Sequence, residues 1–270
     1  WNGTILDCHA HPRGLGDSKD LDREFLDRLI AYSYKLGVKK MVTLGEVLFK
    51  EFGYTEDEIR WLNDRKAELA AAYPYFFIPF CFLDPMLGPD FIKDEIKRCH
   101  EEYGMRRLKL EICCNVNHPA TDPVFESAEV LEFPVLVHAS DLSIIGYRER
   151  QSDPEDVRAK AERFPKVKII MAHLTGIGVR GVHEILNTTN VAVDTSGMQP
   201  EEGIVDYAVS VLGADRILYG SDAMHRDQSA QLAQVIAANI SENDKTKILK
   251  TNSISWLKFD DKELEGTDVH

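Results

Sequence analysis

Short runs of hydrophobic residues, rich in β-branched and aromatic side chains, recur along the 270-residue chain. Eight such runs span residues 5–9, 39–45, 76–83, 107–112, 134–138, 167–173, 191–195 and 216–221. Apolar residues fill most of these runs continuously, which is typical of strands buried on both faces of a sheet. The runs start 24 to 37 residues apart, the length of one strand followed by one helix. The pattern therefore predicts eight parallel strands with helices between them.

Amphipathic segments between the runs predict the helices. An apolar stripe predicts a helix over 21–36, and Gly37 follows where a C-terminal cap is expected. A capping-box pattern at Thr55 opens a helix over 55–73, and Asp153 caps the start of another. Further helices are predicted over 90–103, 178–186, 201–212, 228–239 and 242–249. The helix predicted over 123–131 is expected to be short or irregular.

Strands that alternate with helices along the whole chain predict an α/β protein with a (β/α)8 TIM-barrel architecture. The alternative is a doubly wound open sheet. No glycine-rich phosphate-binding loop follows the first predicted strand, where a nucleotide-binding sheet would usually carry it. The barrel is expected to occupy residues 1–259 as a single domain. Residues 260–270 are mostly polar and are expected to form a solvated C-terminal tail.

Histidines and acidic residues stand at the C-terminal ends of five predicted strands, after runs that are otherwise almost entirely apolar. His9 and His11 end the first strand, and because alternate residues of a strand share a face, both imidazoles should point the same way. The other strand ends supply Lys109, Glu111, His138, His173 and Asp222. Any one of these residues could be an ion-pair partner or a turn cap. Together, at the end of a barrel where active sites lie, they predict a site for one or two divalent metal ions.

The composition narrows the choice of partners. A net charge of −13 disfavours binding to nucleic acid, and no apolar stretch approaches the length of a membrane span. Five cysteines, an odd number without framework spacing, favour a reducing, cytoplasmic compartment. We expect a small-molecule substrate and neither a nucleic-acid nor a membrane partner. The sequence leaves a homo-oligomer open.

Several motifs resemble those of the amidohydrolase superfamily, in particular its compact, metal-dependent TIM-barrel hydrolases. The resemblance runs from residue 5 to about residue 259. It is carried by the segments 7–11 (DCHAH), 135–139 (VLVHA), 169–174 (IIMAHL), 220–222 (GSD) and 245–253 (KTKILKTNS). It implies the same barrel fold and a metal-dependent activity.

The resemblance also implies a division of the ligands between two metal ions. His9, His11 and Asp222 would hold the first ion, and His138 and His173 would hold the second. The bridging group of two-metal relatives comes from the fourth strand, as a carbamylated lysine or a glutamate. Both Lys109 and Glu111 are present here, and we favour Glu111 because it needs no modification. Some relatives of this kind bind a single metal, so the number of ions stays open.

The expected activity is hydrolysis of an amide, ester, lactone or phosphoester by a metal-activated water. Asp222 is expected to act as the general base, with His173 as a second candidate for the proton. Zinc is the default ion, with manganese or iron as alternatives. Arg13 and His225 lie within a few residues of the proposed ligands and are expected to bind the substrate; Arg148, Arg150 and Arg226 are further basic residues near strand ends.

Two other functions are compatible with the same residues. The first is a metal-dependent, non-oxidative decarboxylase of a small aromatic acid, a lyase on the same scaffold with a single metal. The second is a barrel that binds a ligand without catalysis, which the complete set of metal-binding residues disfavours. No cysteine is assigned a catalytic role, and Cys8 is expected to point away from the barrel interior because it alternates with His9.

Overall fold

The computed structural model describes residues 3–12, 20–45, 53–141 and 149–265. Nine short strand segments lie within these ranges: β1 (Ile5–Asp7), β2 (Val38–Thr43), β3 (Phe77–Pro79), β4 (Cys81–Leu83), β5 (Leu108–Leu110), β6 (Val135–Val137), β7 (Ile169–Met171), β8 (Val191–Asp194) and β9 (Ile217–Leu218). All paired neighbours are parallel, in the orders β1-β2-β3 and β4-β5-β6-β7-β8-β9.

Backbone hydrogen bonds join these two groups of strands into a closed barrel. Only Phe80 separates β3 from β4, and its N–H donates to Thr43 O at 3.1 Å. At the other junction, Cys8 N–H donates to Tyr219 O at 2.9 Å, which ties β1 to the end of β9. With β3 and β4 counted as one interrupted strand, the described segments form the predicted eight-stranded TIM barrel. The predicted strand 76–83 is interrupted at Phe80, whose carbonyl accepts a hydrogen bond from Lys66 Nζ at 2.6 Å.

Helices follow most of the strands and cover the barrel. They are α1 (Arg23–Lys35), α2 (Glu56–Ala72), α3 (Pro89–Tyr103), α4 (Asp122–Leu131), α5 (Pro154–Arg163), α6 (Leu174–Glu184), α7 (Ile204–Leu212), α8 (Gln228–Ala237), α9 (Glu242–Thr246) and α10 (Asn252–Leu257). Thr55 and Glu58 form the predicted capping box at the start of α2. Helix α6 begins four residues before the predicted 178 and bends at Gly178, whose φ is 59°. No helix among the described residues is both long enough and apolar enough to cross a membrane.

Apolar side chains pack in two layers. One layer lies between the strands and the surrounding helices. The other, the inner cluster, includes Leu6, Cys8, Val42, Phe80, Ile170, Leu218, Trp256 and Leu257. The prediction that Cys8 points outward is therefore wrong. Because β1 ends at Asp7, strict strand alternation does not extend to His9, and Cys8 can pack inside while His9 still reaches the mouth of the barrel.

The first part of the predicted tail packs against the barrel instead of extending into solvent. The Glu263 carboxylate accepts hydrogen bonds from Arg107 Nη1 at 2.7 Å and Nη2 at 2.8 Å, and from Arg106 Nη2 at 2.9 Å. The Arg107 side chain is buried, so a nearby anion is required to balance its charge. Residues 260–265 thus belong to the folded body, while 266–270 lie outside the described residues.

Candidate metal centre and active site

Three side chains converge at the C-terminal ends of β1, β7 and β9. Ligand atoms of His9, His173 and Asp222 all lie within 4.8 Å of one another. His11 joins them: its Nε2 is 3.3 Å from His9 Nε2 and 3.7 Å from Asp222 Oδ1. All four side chains are buried. Imidazole nitrogens and a carboxylate in this arrangement suit a divalent transition metal, so the structure brings together four of the six predicted ligands.

Asp194, at the end of β8, orients His9. Its Oδ2 is 2.8 Å from His9 Nδ1, which leaves His9 Nε2 directed at the other ligands. Its Oδ1 accepts hydrogen bonds from the backbone N–H of Ser196 at 2.9 Å and of His173 at 3.1 Å. A carboxylate behind a metal-binding histidine fixes the ring orientation and raises its basicity. Asp194 is not among the predicted site residues, although it follows an apolar run as they do.

Backbone carbonyls orient the other two imidazoles. His11 Nδ1 donates to Gly45 O at 2.5 Å, and His173 Nδ1 donates to Ala139 O at 3.2 Å. These bonds place a proton on Nδ1 of each ring. Nε2 is then the free acceptor atom through which each histidine can bind a metal.

The backbone of the site is held in uncommon conformations. His173 and Asp222 have φ values of 74° and 55°, in the left-handed region that residues other than glycine rarely adopt. Such strain persists where the surrounding structure enforces it and is frequent at functional sites. Gly220 contributes to this crowding, because a Cβ atom there would lie 2.7 Å from His9 Cβ.

Burial and mutual contacts shift the pKa values of these groups. Burial lowers the pKa of His11 and of His173 well below the ordinary value, so both rings are neutral at physiological pH. Burial also opposes a charge on His9, but the Asp194 carboxylate outweighs it and raises the pKa of His9. Burial raises the pKa of Asp222, partly offset by the charges of His9 and His225. His11 and His173 are therefore neutral donors, and the Asp222 carboxylate is poorly compensated for its burial.

The other two predicted ligands, Glu111 and His138, pair with each other beside this cluster. Glu111 Oε1 is 2.7 Å from His138 Nδ1, and Glu111 Oε2 is 3.0 Å from Lys109 Nζ. Burial opposes ionisation of Glu111, but Lys109 and His138 outweigh it and lower the pKa of Glu111 well below its usual range. The His138 ring lies 4.6 Å from the ring of His173. A bridging role for Glu111 and a second metal ion remain predictions.

A cavity of about 380 Å³ opens onto the cluster. Its lining residues are His11, Glu111, Ile112, His138, Ser140, Gln151, His173, Gly176, Gly197, Met198, Asp222, His225 and Arg226. The predicted substrate contact His225 is placed here, with its ring 4.8 Å from that of His11. Arg13 and Arg148 lie outside the described residues, and Arg150 borders a different cavity. Arg226 is therefore the arginine that the described structure places at this cavity.

Solved structures share the fold at low sequence identity. A 2,6-dihydroxybenzoate decarboxylase from Rhizobium is 18% identical, with a TM-score of 0.73, 95% of this chain covered and 99% of that one. A 5-carboxyvanillate decarboxylase from Sphingomonas paucimobilis is 15% identical, with a TM-score of 0.71 and coverage of 95% and 99%. A dihydroxybenzoic acid decarboxylase from Polaromonas, with bound manganese and the inhibitor 2-nitroresorcinol, is 18% identical, with a TM-score of 0.71 and coverage of 96% and 97%.

The prediction of a hydrolase is corrected by these similarities, because the three structures named above are decarboxylases. They support a divalent metal but not zinc in particular, since the ion named among them is manganese. No curated protein matches the chain. The cytoplasmic compartment and the oligomeric state stay predictions.

The family itself is shown by sequence. A family model described as Amidohydrolase matches residues 6–259, which is nearly the whole chain. The match contains the segments on which the resemblance was based, and the described barrel carries their histidines and Asp222 at its mouth. The chain belongs to the amidohydrolase family of metal-dependent TIM-barrel enzymes.

Proposed function

We propose that this protein is a metal-dependent, non-oxidative decarboxylase of a small aromatic acid. The observation that carries the proposal is the convergence of His9, His173 and Asp222 within 4.8 Å beside a cavity of about 380 Å³. A cavity of this size suits a ligand with a single ring. The decarboxylase structures that share the fold support the choice of reaction, and the bound manganese in one of them favours manganese over zinc as the ion.

The residues present fit a single divalent ion. His9, His11 and Asp222 would hold it, with His173 as the fourth side chain within reach. When bound, the ion would supply positive charge that neutralises and polarises oxygen atoms of the substrate.

Asp222 is the group best placed to deliver the proton that the reaction requires. Its Oδ1 faces His9 Nε2 and His11 Nε2, at 3.8 and 3.7 Å, so Oδ2 is the oxygen at which a proton can be held. In the reaction, this proton is transferred to the ring carbon that carries the carboxylate. The electron pair of the breaking carbon–carbon bond stays with the ring, and carbon dioxide leaves. Asp222 is then reprotonated from solvent. His225, which is exposed and follows Asp222 by three residues, is placed to relay that proton.

The test is carbon dioxide release by protein that has been stripped of metal and reloaded with manganese or zinc. We expect release from at least one ortho-hydroxylated benzoate, and at least 10²-fold less after removal of the metal. Asp222→Asn should lower kcat by about 10² or more while the fold is retained. Asp215→Asn, an exposed carboxylate far from the mouth, is the matched control. A metal-loaded protein that releases no carbon dioxide from a broad panel of aromatic acids would overturn the proposal.

A further inference from the structure

Arg226 is the single lysine or arginine among the residues that line the active-site cavity in the described structure. Its neighbours in the lining include two acidic side chains, Glu111 and Asp222. Lys109 already compensates Glu111 from below, at 3.0 Å. The guanidinium of Arg226 is thus a positive charge available to a ligand bound in the cavity.

The position of Arg226 is built by its surroundings. Its Nε donates to Gly197 O at 3.0 Å, and its Nη1 donates to His225 O at 3.0 Å. The buried Gln231 also donates to Gly197 O, through Nε2 at 3.2 Å. Gly197 cannot carry a side chain here, because a Cβ atom would lie 2.4 Å from Thr175 Oγ1. The carbonyl that anchors the guanidinium is therefore fixed from two sides.

These two bonds leave most of the hydrogen-bonding capacity of Arg226 unused. A guanidinium has five N–H donors in a rigid, planar fork, and its preferred partner is a carboxylate bound through two hydrogen bonds. No carboxylate of the described residues forms an ion pair with Arg226, and its hydrogen-bond partners among them are the two backbone carbonyls. A guanidinium held at the wall of a substrate cavity, with no carboxylate of the described residues to neutralise it, is suited to bind an anion of the substrate.

The anion cannot usefully be the carboxylate that is lost. That group changes from an anion to neutral carbon dioxide, so an ion pair with it would stabilise the substrate more than the transition state and slow the reaction. An anionic group that persists through the reaction is bound equally in both states. It improves affinity without lowering kcat.

We propose that Arg226 binds a second anionic group of the substrate, and that the substrate is an aromatic acid carrying two such groups. This inference rests on the proposed function. The bidentate geometry of a guanidinium favours a second carboxylate over a phenolate. Arg226 acts as a specificity determinant, and its contribution should appear in KM and not in kcat.

Turnover of two substrates by manganese-loaded protein tests this assignment. 4-Hydroxybenzene-1,3-dicarboxylate carries a second carboxylate, whereas 2-hydroxybenzoate does not. For the diacid, Arg226→Gln should raise KM about 10- to 100-fold, as expected for loss of a hydrogen-bonded charge pair, with kcat changed less than about threefold. For 2-hydroxybenzoate the rise in KM should be at least tenfold smaller than for the diacid. A fall in kcat for both substrates, or an unchanged KM for the diacid, would overturn the assignment.

Calorimetric binding separates this inference from the proposed reaction. Benzene-1,3-dicarboxylate should bind metal-loaded protein at least tenfold more tightly than benzoate, and Arg226→Gln should abolish the difference. If this preference is observed without any carbon dioxide release, the anion site stands and the decarboxylase proposal fails. If carbon dioxide is released but both acids bind equally, the decarboxylase proposal stands and the assignment of Arg226 fails. Arg226→Lys should restore part of the preference, and Arg28→Gln on the exposed face of α1 serves as a control for the loss of a surface charge.

Discussion

Lys66 is a buried lysine near the mouth of the barrel, and its shifted pKa predicts how the free energy of unfolding changes with pH. The side chain is fully buried, its Nζ donates to Phe80 O at the interruption between β3 and β4, and its carbons lie about 3.5 Å from where a Cβ on Gly45 would be. Gly45 O in turn orients His11. Burial lowers the pKa of Lys66 from the ordinary 10.5 to about 8, because desolvation of the ammonium group outweighs the nearby acidic groups.

The pKa shift fixes both the sign and the size of the effect on stability. Between pH 8 and 10.5 the unfolded chain holds the Lys66 proton while the folded protein releases it, so stability should rise with pH in this range. One pKa unit corresponds to about 1.4 kcal/mol, so the contribution of Lys66 amounts to about 3 kcal/mol over the window. Below pH 8 the cost of the buried charge is constant.

Urea unfolding of the wild type and of Lys66→Met, measured from pH 7.5 to 10.5, isolates this contribution. Groups that titrate in both proteins cancel in the difference. The free energy of unfolding of the variant, relative to wild type, should fall by about 3 kcal/mol as the pH rises from 8 to 10.5. Lys35→Met, exposed at the end of α1, should show no such trend. Parallel pH dependences of wild type and Lys66→Met would refute the argument.

Three further substitutions probe the site and the base of the barrel. Gly220→Ala should weaken metal binding at least tenfold, because the new methyl group would displace His9; competition with a chelator measures it. Asp194→Asn should lower metal affinity about 10- to 100-fold in the same assay, since it removes the carboxylate that orients His9. Arg107→Met should lower the free energy of unfolding by about 1 to 3 kcal/mol, because Glu263 keeps only Arg106 as a partner and the Leu257 carbonyl loses its donor. Urea titration would reveal it, and an unchanged midpoint would contradict the packing of residues 260–265.

The barrel was predictable because each of its strands is an apolar run of the right length and spacing. The clustering of the proposed metal ligands was predictable for a related reason: a histidine or carboxylate that ends such a run is too costly to bury without a partner. The same signal is present at Asp194, in the run 191–195, for which no role was predicted.

Other features depend on side-chain contacts that no pattern of residue types encodes. Lys109 and Glu111 alternate on one strand, which predicts a shared face. Whether Glu111 turns to a metal or to His138 is decided by the neighbouring elements. The packing of residues 260–265 against the barrel depends on the buried side chain of Arg107. Arg107 and its partner Glu263 are 156 residues apart in the sequence. The reaction itself could not be chosen from the ligands, since a hydrolase and a decarboxylase can use the same set.

The most direct measurement of the central claim is the fate of the proton during turnover in heavy water. Manganese-loaded protein should convert 2,6-dihydroxybenzoate or 4-hydroxybenzene-1,3-dicarboxylate to carbon dioxide and a ring with one deuterium on the carbon that lost its carboxylate, in equal amounts. Proton NMR and a carbon dioxide assay would follow both products. Asp222→Asn should suppress them together, by about 10²-fold or more. Absence of both products with metal bound, or carbon dioxide release that persists after the metal is removed, would contradict a metal-dependent decarboxylase.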